Sequence, residues 1–460
     1  MTNKIITLFF LSILFNSCNV SKNIKTNQTD NAWQAEFEEF NGKETLKFNK
    51  QANSLVYLSS KLIANKGKLE LSTNQKAIST TQQVNHTKLD LTDNLTIQVV
   101  GEKATGSFSL KYPIYENKKI NIQYNKNIEL FALAYFLISY EDYASIPDEQ
   151  SFNIDGKNIK VKDLYAINLK IANEFKSYLN SKNLQVIKSY FDKKFYLQYS
   201  NLLLNIGDFP NAKIDSSTRF INEFSSLQDG EIFIAAFNNF FNEIRFNDFL
   251  ENYKPYYNEM ILEVTQNIPK QNFITEMEHF YGKKVANYNL YPSLTLSFSQ
   301  GYGVGGENTV GNIFACFSKP EKIDNPKALE LGFNNETSIR TICIHEFGHS
   351  FINPVVDKVD ANIIDGKSAL FTPIKAKMSE QGYTEWKICL YEHFVRANEV
   401  IITRLLKDNQ KGDAILKDNY GNRSFIYLPQ IIEQLEFWYY NEYFEKSYDE
   451  KVKEIIMNLK

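Results

Sequence analysis

The sequence predicts a multidomain protein in which a small antiparallel β-sandwich precedes a mainly helical, α+β domain. Apolar and polar residues alternate with a period of two between Trp33 and Tyr112. From Ile128 onward, the apolar residues recur at helical spacing instead. A chain of 460 residues also exceeds the size that one hydrophobic core usually serves, so we expect at least two domains.

The first residues are typical of a bacterial secretion signal. Lys4 precedes the apolar run IITLFFLSILF, which is too short to span a bilayer, and Cys18 follows closely. A cysteine at this place resembles a lipoprotein processing site, although a plain signal peptide with an incidental cysteine is the alternative. We therefore expect residues 1–17 to be a signal peptide, Cys18 to be lipidated and residues 19–32 to be a polar tether.

The domain boundaries follow from the change of pattern. Stretches such as WQAEFEEF and LTIQVVG, separated by Gly, Asn and Lys, predict several short strands and a β-sandwich over residues 33–115. The polar stretch after Pro113 is the expected boundary, and residues 125–460 are the expected second domain. His86 is expected at the surface, and His279 is expected to be structural or exposed.

The bulk composition excludes some classes of function. The net charge is only −3, and no basic patch with interleaved aromatics is visible, so no nucleic-acid partner is expected. Apart from Cys18, the cysteines are Cys316, Cys343 and Cys389. An odd number of cysteines cannot all pair in disulfides, so we expect these three to be small buried side chains.

The stretch TICIHEFGHSFINP, residues 341–354, is predicted to lie on a helix of about four turns. Asn335 before Glu336 is a favourable helix start. The Asn353-Pro354 pair is expected to end the helix, because proline disfavours a helical residue before it. The apolar residues at helical spacing, expected to face the core, are Ile339, Cys343 and Phe347.

The same stretch has the spacing H-E-x-x-H. Residues four apart share a helix face, so His345 and His349 can each present a nitrogen to one zinc ion about 2.0–2.1 Å away. Glu346 lies beside them, where a carboxylate acts as a general base towards water. This arrangement predicts a catalytic zinc site.

Zinc requires a third protein ligand, and the extended pattern H-x-x-G-x-x-H does not follow His349. A second predicted helix, within residues 381–405, supplies the candidates. Glu392 is the preferred ligand, because its place after His349 resembles the glutamate-zincin arrangement in which a second helix supplies a Glu. His393 is its rival and would imply a rarer all-histidine set. Glu385 and Glu399, two turns on either side of Glu392, are further candidates for ligation or for support of the ligand.

Two more residues of this second stretch are catalytic candidates. Arg396 lies four residues after Glu392 and shares its face, so it can orient Glu392 or contact a substrate carboxylate or oxyanion. The alternative for Arg396 is a surface salt bridge. Tyr383, just before the helix, can donate a hydrogen bond to a tetrahedral intermediate, with core packing as its alternative.

Together, the HEFGHSFINP helix and the GY..W....YEHFVRA helix, behind a lipoprotein-type leader, resemble a family of secreted bacterial zincin-like proteins. That family is known as a domain of unknown function with a predicted metallopeptidase site. The resemblance covers roughly residues 128–406. It implies a glutamate-zincin type of fold, with His345, His349 and Glu392 as zinc ligands and Glu346 as the base.

The expected function is that of a zinc metalloendopeptidase acting on a peptide or protein substrate. The protein is expected to be secreted across the inner membrane and anchored through lipid at Cys18 in the outer membrane or periplasm. Two alternatives remain open. One is a zincin fold without turnover that serves surface binding or adhesion, and the other is hydrolysis of a non-peptide amide.

Overall fold

The computed structural model describes residues 20–78, 82–154, 157–270, 272–306 and 308–460. The predicted signal peptide and Cys18 lie outside the described residues. In the described part of the chain, no helix combines the length and the apolar character that a membrane crossing requires. The three described cysteines are free and buried, as expected.

The first part of the described chain forms an eight-stranded antiparallel sheet. Its strands are β1 (Val20–Lys22), β2 (Lys25–Gln28), β3 (Ala32–Phe48), β4 (Ser54–Thr73), β5 (Ala77–Ile78), β6 (Asn85–Asp90), β7 (Leu95–Lys111) and β8 (Ile114–Glu116). The main path is β1-β3-β7-β4-β5, with β2 also paired to β3, and with β6 and β8 paired to β4. Strands β1 and β2 lie in the segment predicted to be a tether.

The antiparallel sheet region expected from the sequence is confirmed, but its strands are hydrogen-bonded into one sheet. The long strands carry bulges, with shifts of register between Phe37 and Phe40 and between Ala64 and Lys66. Gly106 of β7 is required beside the second of these bulges, because a Cβ there would lie 1.9 Å from the Ile63 carbonyl oxygen. Alternate residues of β7 are buried in the sheet core, which explains the period of two in the sequence.

The rest of the chain is mainly helical. Its strands are β9 (Ile120–Ile122), β10 (Ser151–Ile154), β11 (Lys157–Lys160), β12 (Asn287–Pro292), β13 (Gly301–Gly306) and β14 (Thr309–Phe314). Its helices are α1 (Lys126–Ile138), α2 (Tyr140–Ala144), α3 (Val161–Leu164), α4 (Ala166–Glu174), α5 (Lys182–Phe191), α6 (Ser200–Leu203), α7 (Leu227–Glu243), α8 (Phe246–Asn252), α9 (Lys254–Gln266), α10 (Phe273–Tyr281), α11 (Glu336–Asp357), α12 (Ala361–Asp365), α13 (Lys375–Glu380), α14 (Trp386–Leu405), α15 (Asn409–Gly421), α16 (Leu428–Phe437) and α17 (Tyr448–Asn458).

The chain divides into two compact units that are each built from separate segments. The first unit contains residues 1–118, 274–283 and 355–460, and the second contains residues 119–273 and 284–354. The domains predicted from the sequence, residues 33–115 and 125–460, are each one continuous segment, and they remain a prediction. Discontinuous units are difficult to foresee, because contacts between distant segments leave no local pattern.

Within the first unit, α10 packs against the N-terminal sheet. The Tyr57 hydroxyl donates to Glu276 at 2.6 Å, and the His279 ring stacks on the Tyr57 ring at 3.5 Å. His86 stacks on Tyr439 at 3.9 Å. The expectation that His86 lies alone at the surface is therefore wrong, because the helices of residues 355–460 cover this side of the sheet.

The second unit contains a four-stranded sheet with the order β13-β14-β12-β9. Strand β12 is parallel to both β14 and β9, and β13 and β14 form an antiparallel hairpin. The apolar stretch after Ile128 forms α1, which is buried nearly all round. This small sheet matters for function because it lies beside the H-E-x-x-H helix.

Candidate metal centre

Helix α11 carries the H-E-x-x-H residues and begins where the sequence predicts. Asn335 caps it, since the Ser338 N–H donates to Asn335 Oδ1 at 2.8 Å. The predicted end at Pro354 is wrong, because the helix continues to Asp357.

The helix passes through Pro354 for an identifiable reason. Proline removes one backbone donor from the helix, the N–H that would otherwise bond four residues back. Val355 and Val356, which follow it, are almost fully buried. Their burial stabilises the last turn and outweighs the single lost hydrogen bond.

The two sides of α11 differ in burial. The residues predicted to face the core are confirmed there, each with no exposed surface: Ile339, Cys343 and Phe347. On the other side, His345, Glu346 and His349 are half-buried. The two imidazole rings have centroids 5.1 Å apart and planes at 81°, as expected for residues one turn apart on a helix.

Asn353 orients one of these imidazoles. His349 Nδ1 lies 3.3 Å from Asn353 Oδ1, so the Nδ1–H donates and Nε2 keeps its lone pair. Such a contact is the usual way in which a metal-binding histidine is held in one tautomer. This role of Asn353 was not predicted from the sequence, although a residue four positions after His349 must lie on the same helix face.

Strand β13 runs alongside α11 and contacts it through glycines at alternate positions. If Gly301 carried a Cβ, that atom would lie 2.8 Å from Ile342 Cδ1. A Cβ added to Gly303 would lie 2.8 Å from the Glu346 carbonyl oxygen, and one added to Gly305 would lie 3.3 Å from Ser350 Oγ. Two strand residues and four helical residues both advance by about 6 Å, so the strand and the helix stay in step. The glycines therefore allow a backbone to lie directly against Glu346.

The outer edge of β13 carries backbone groups that point away from the sheet. Gln300 and Ala315 form a hydrogen-bonded pair, since the Ala315 N–H donates to the Gln300 carbonyl. In an antiparallel ladder, hydrogen-bonded and non-hydrogen-bonded pairs alternate. Residues 301, 303 and 305 of β13 are therefore not bonded to β14 and direct their backbone N–H and C=O groups outward. Gly305 N–H confirms this direction by donating to Asn201 Oδ1 at 3.0 Å. Among the described residues, β13 is the last strand of its sheet.

Helix α14 holds Glu392 in a buried polar network. Arg396 Nη2 lies 3.2 Å from Glu392 Oε2 and donates to the Tyr383 hydroxyl at 3.2 Å, and its Nη1 donates to Asn419 Oδ1 at 3.0 Å. The guanidinium also lies over the Phe425 ring. Arg396 and Glu392 are only 6% and 7% exposed, so the surface salt bridge considered for this pair is excluded.

Tyr383 belongs to the same network. Burial raises the pKa of its hydroxyl, and the nearby Glu392 carboxylate adds to this effect. The hydroxyl therefore keeps its proton, and because it accepts from Arg396, that proton is available to a further acceptor. Asn419 and Phe425, which support Arg396, lie beyond the motif and were not found from the sequence.

His393, the rival ligand, faces a different environment. It is fully buried, its Nδ1–H donates to the Cys389 carbonyl at 2.8 Å, and its ring contacts Phe425 and Tyr427. Burial lowers the pKa of the His393 imidazole to about 4. Its position is that of a neutral core histidine.

His345, His349 and Glu392 form a group that could hold a metal ion. Each supplies one ligand atom, two imidazole nitrogens and one carboxylate oxygen, and these atoms lie within 4.8 Å of one another. His393, Glu385 and Glu399 are not members of this group. The three members of the group are the residues that were chosen from the sequence as preferred ligands.

One family model matches the chain. It is described as "Domain of unknown function (DUF4932)", it covers residues 212–457, and the chain belongs to this family. The match includes both α11 and α14. No curated protein and no solved structure gave a significant match.

Proposed function

We propose that this DUF4932 protein is a zinc-dependent metallopeptidase of the zincin-like, glutamate type that hydrolyses peptide bonds at the cell envelope. The observation that carries the proposal is the group of His345, His349 and Glu392. Two histidines and one carboxylate are a common ligand set of catalytic zinc, which leaves a fourth position for water or substrate. The donor set therefore fits Zn²⁺ as the cofactor.

The residues around this group have separate tasks in the proposed reaction. When bound, zinc would polarise the scissile carbonyl and lower the pKa of a water ligand towards about 7. Glu346 takes the proton from the attacking water and passes it to the leaving amine. Asn353 holds His349 in the tautomer whose Nε2 carries the lone pair.

The buried network on α14 supports two further assignments. Arg396 positions the Glu392 carboxylate through their ion pair. Tyr383, whose hydroxyl accepts from Arg396, donates its own proton in a hydrogen bond to the oxyanion of the tetrahedral intermediate. A peptide substrate adds to the outer edge of β13, where the backbone groups of Gly301 and Gly303 point outward.

The first experiment measures the metal content of the mature chain with Cys18→Ser, by mass spectrometry. We expect about one zinc per chain, because three protein ligands suffice for a catalytic zinc site. His349→Ala and Glu392→Ala should each lose the zinc. Glu385→Ala, on the same segment but outside the ligand group, is the matched control and should keep it.

The second experiment incubates the zinc-loaded protein with a peptide library. Cleavage that requires zinc supports the peptidase. A zinc site without turnover on peptides would point to the binding or adhesion alternative, or to an amide of another chemistry such as one in the cell wall. Absence of zinc from the unsubstituted protein would reject the metal site altogether.

We also propose that lipid at Cys18 anchors the protein to the cell envelope. The supporting observation is the leader of residues 1–17, which ends just before this cysteine. Expression of the full chain with labelled fatty acid should label the membrane fraction. Cys18→Ser should abolish the label and release the protein, and retention of the label would refute this anchor.

A further inference from the structure

Asn312 is a buried amide without a hydrogen-bond partner. It lies on β14 with no exposed surface, and in the described structure neither its Oδ1 nor its Nδ2 makes a hydrogen bond. An unsatisfied buried polar group costs about 1–3 kcal/mol, so native proteins retain few of them without a reason. An amide with both ends unused therefore calls for an explanation from the groups around it.

The register of the sheet shows which way Asn312 faces. Asn312 lies opposite Gly303 on β13 and Leu290 on β12, and directly opposite residues of an antiparallel pair project from the same face. A neighbouring residue of this face, Tyr288, packs against Phe347 of α11 at 5.3 Å between ring centroids. Asn312 therefore faces the H-E-x-x-H helix.

The Glu346 carboxylate is an acceptor group that lies against this face. A Cβ on Gly303 would lie 3.1 Å from Glu346 Oε2. Opposite Cβ positions in an antiparallel pair are about 4.5–5.5 Å apart, and the amide of Asn312 extends beyond its own Cβ. The Asn312 amide thus lies on the face of the sheet that the Glu346 carboxylate contacts.

The other neighbours on this face cannot satisfy the amide. Along β14, the residues on the same side are Val310 and Phe314, and across the sheet it is Leu290. These side chains are apolar, and the glycine opposite has none. Asn312 thus has no polar side chain next to it on its own side of β14 or directly opposite it on β12 and β13.

We propose that Asn312 is a positioning residue for Glu346, an assignment that rests on the proposed peptidase activity. Its Nδ2–H donates to the Glu346 carboxylate, directly or through one water, and fixes the oxygen that receives the proton. When Glu346 holds that proton as a carboxylic acid, Asn312 Oδ1 accepts it in a hydrogen bond. An amide suits both states because it is a donor and an acceptor.

The test replaces Asn312 by leucine, which has a similar shape and no polar atoms. We expect kcat to fall about 10- to 100-fold, with KM within about twofold and zinc content unchanged. The same change should raise the midpoint temperature of unfolding by about 2–4 °C, because an unsatisfied amide is removed. A residue that served only the fold would not give lower kcat together with higher stability.

The matched control is Asn127→Leu in the same unit. Asn127 is equally buried, but its amide bonds Leu203, Gly207 and Phe209, so this variant should lose stability while the folded fraction keeps its kcat. Should leucine not fit at position 312, Asn312→Ala gives the same kcat test, with zinc content as the measure of folded protein.

Two outcomes overturn the assignment. One is an unchanged kcat in folded Asn312→Leu, and the other is a joint fall of stability and activity. Both outcomes are interpreted only after the unsubstituted protein has been shown to bind zinc and to cleave peptide. Failure at that earlier step rejects the peptidase itself and is therefore distinct from failure of Asn312.

Discussion

Two pairs of histidines in this protein have similar ring geometry and different surroundings. The rings of His345 and His349 have centroids 5.1 Å apart with planes at 81°, and those of His86 and His279 are 5.3 Å apart at 73°. The first pair comes from adjacent turns of α11 and is half-buried. The second joins β6 to α10 across 193 residues of sequence, inside the first unit.

Three of the four ring nitrogens of the second pair have partners within the protein, and the fourth, His279 Nδ1, is buried without a hydrogen bond in the described structure. His86 Nε2 donates to the Tyr439 carbonyl at 3.0 Å, its Nδ1 lies 2.9 Å from Ser59 Oγ, and it lies 3.2 Å from His279 Nε2. Burial lowers the pKa of His86 to about 4 and holds the pKa of His279 well below its ordinary value. Two close imidazoles therefore do not by themselves make a metal site, since among the described residues no third ligand joins His86 and His279 into a metal-binding arrangement.

The largest expected effect tests whether the first pair belongs to a catalytic site. Glu346→Gln should lower peptide cleavage by a factor of about 100 to 10,000, because the amide cannot accept the proton from water. Zinc content should stay at that of the unsubstituted protein. The measurement is kcat/KM on a cleaved library peptide.

Glu336→Gln is the control for this change, since Glu336 lies exposed in the first turn of the same helix. The Glu336→Gln variant should have a kcat/KM within about twofold of that of the unsubstituted protein. Full activity in Glu346→Gln would remove Glu346 from the mechanism even if zinc is bound.

The next effect tests whether the second pair is structural. His279→Ala removes a fully buried ring stacked on Tyr57 and should lower the free energy of unfolding by about 3 kcal/mol. Urea unfolding measures this loss, and zinc content should not change. If His279→Ala lost zinc while keeping its stability, the two pairs would no longer differ in role.

Acid should weaken the fold through the same pair. The folded pKa of His86, about 4, lies below the ordinary value of 6.5, so the unfolded chain binds more protons between these values. Stability is therefore full above about pH 6.5 and declines as the pH falls towards 4, by about 2 kcal/mol between pH 7 and pH 5.

Urea unfolding at several pH values measures this decline. His86→Gln cannot gain the proton, so its stability should depend less on pH over that window. An equal decline in both proteins would show that His86 does not carry the effect.

The smallest effect concerns the strand that lies against the first pair. Gly303→Ala places a Cβ 2.8 Å from the Glu346 carbonyl oxygen, so the strand or the helix must move. We expect a loss of stability of about 1 kcal/mol and a fall of kcat of about tenfold, with zinc retained. Gly207→Ala, where a Cβ meets no atom within 4 Å, is the control and should change neither value.

Local patterns in the chain were sufficient for several features. The spacing of His345, Glu346 and His349 predicted a shared helix face, and the apolar stripe of α11 predicted its buried side. The choice of Glu392 rested on the resemblance to glutamate zincins, and Glu392 is the third member of the group that could hold a metal ion. The features of α11 depend on neighbours within about four residues, so a single sequence contains them.

The errors have physical reasons as well. The end of α11 was placed at Pro354 because the rule for proline is local, whereas burial of the following valines is not. His86 was assigned to the surface because nothing near it in sequence shows the helices that cover it. The unsatisfied amide of Asn312 could be recognised only from the sheet register and from the atoms around it.

The amino-acid sequence alone thus established the residue types, the helical spacing of the H-E-x-x-H group and the antiparallel character of the first sheet. The folded chain was needed to show the glycine face of β13 against Glu346, the burial of Arg396 beside Glu392 and the closed surroundings of His86 and His279. Helix and strand periods are set by backbone geometry, which repeats over a few residues. Burial and hydrogen-bond satisfaction depend on segments that meet only after the chain has folded.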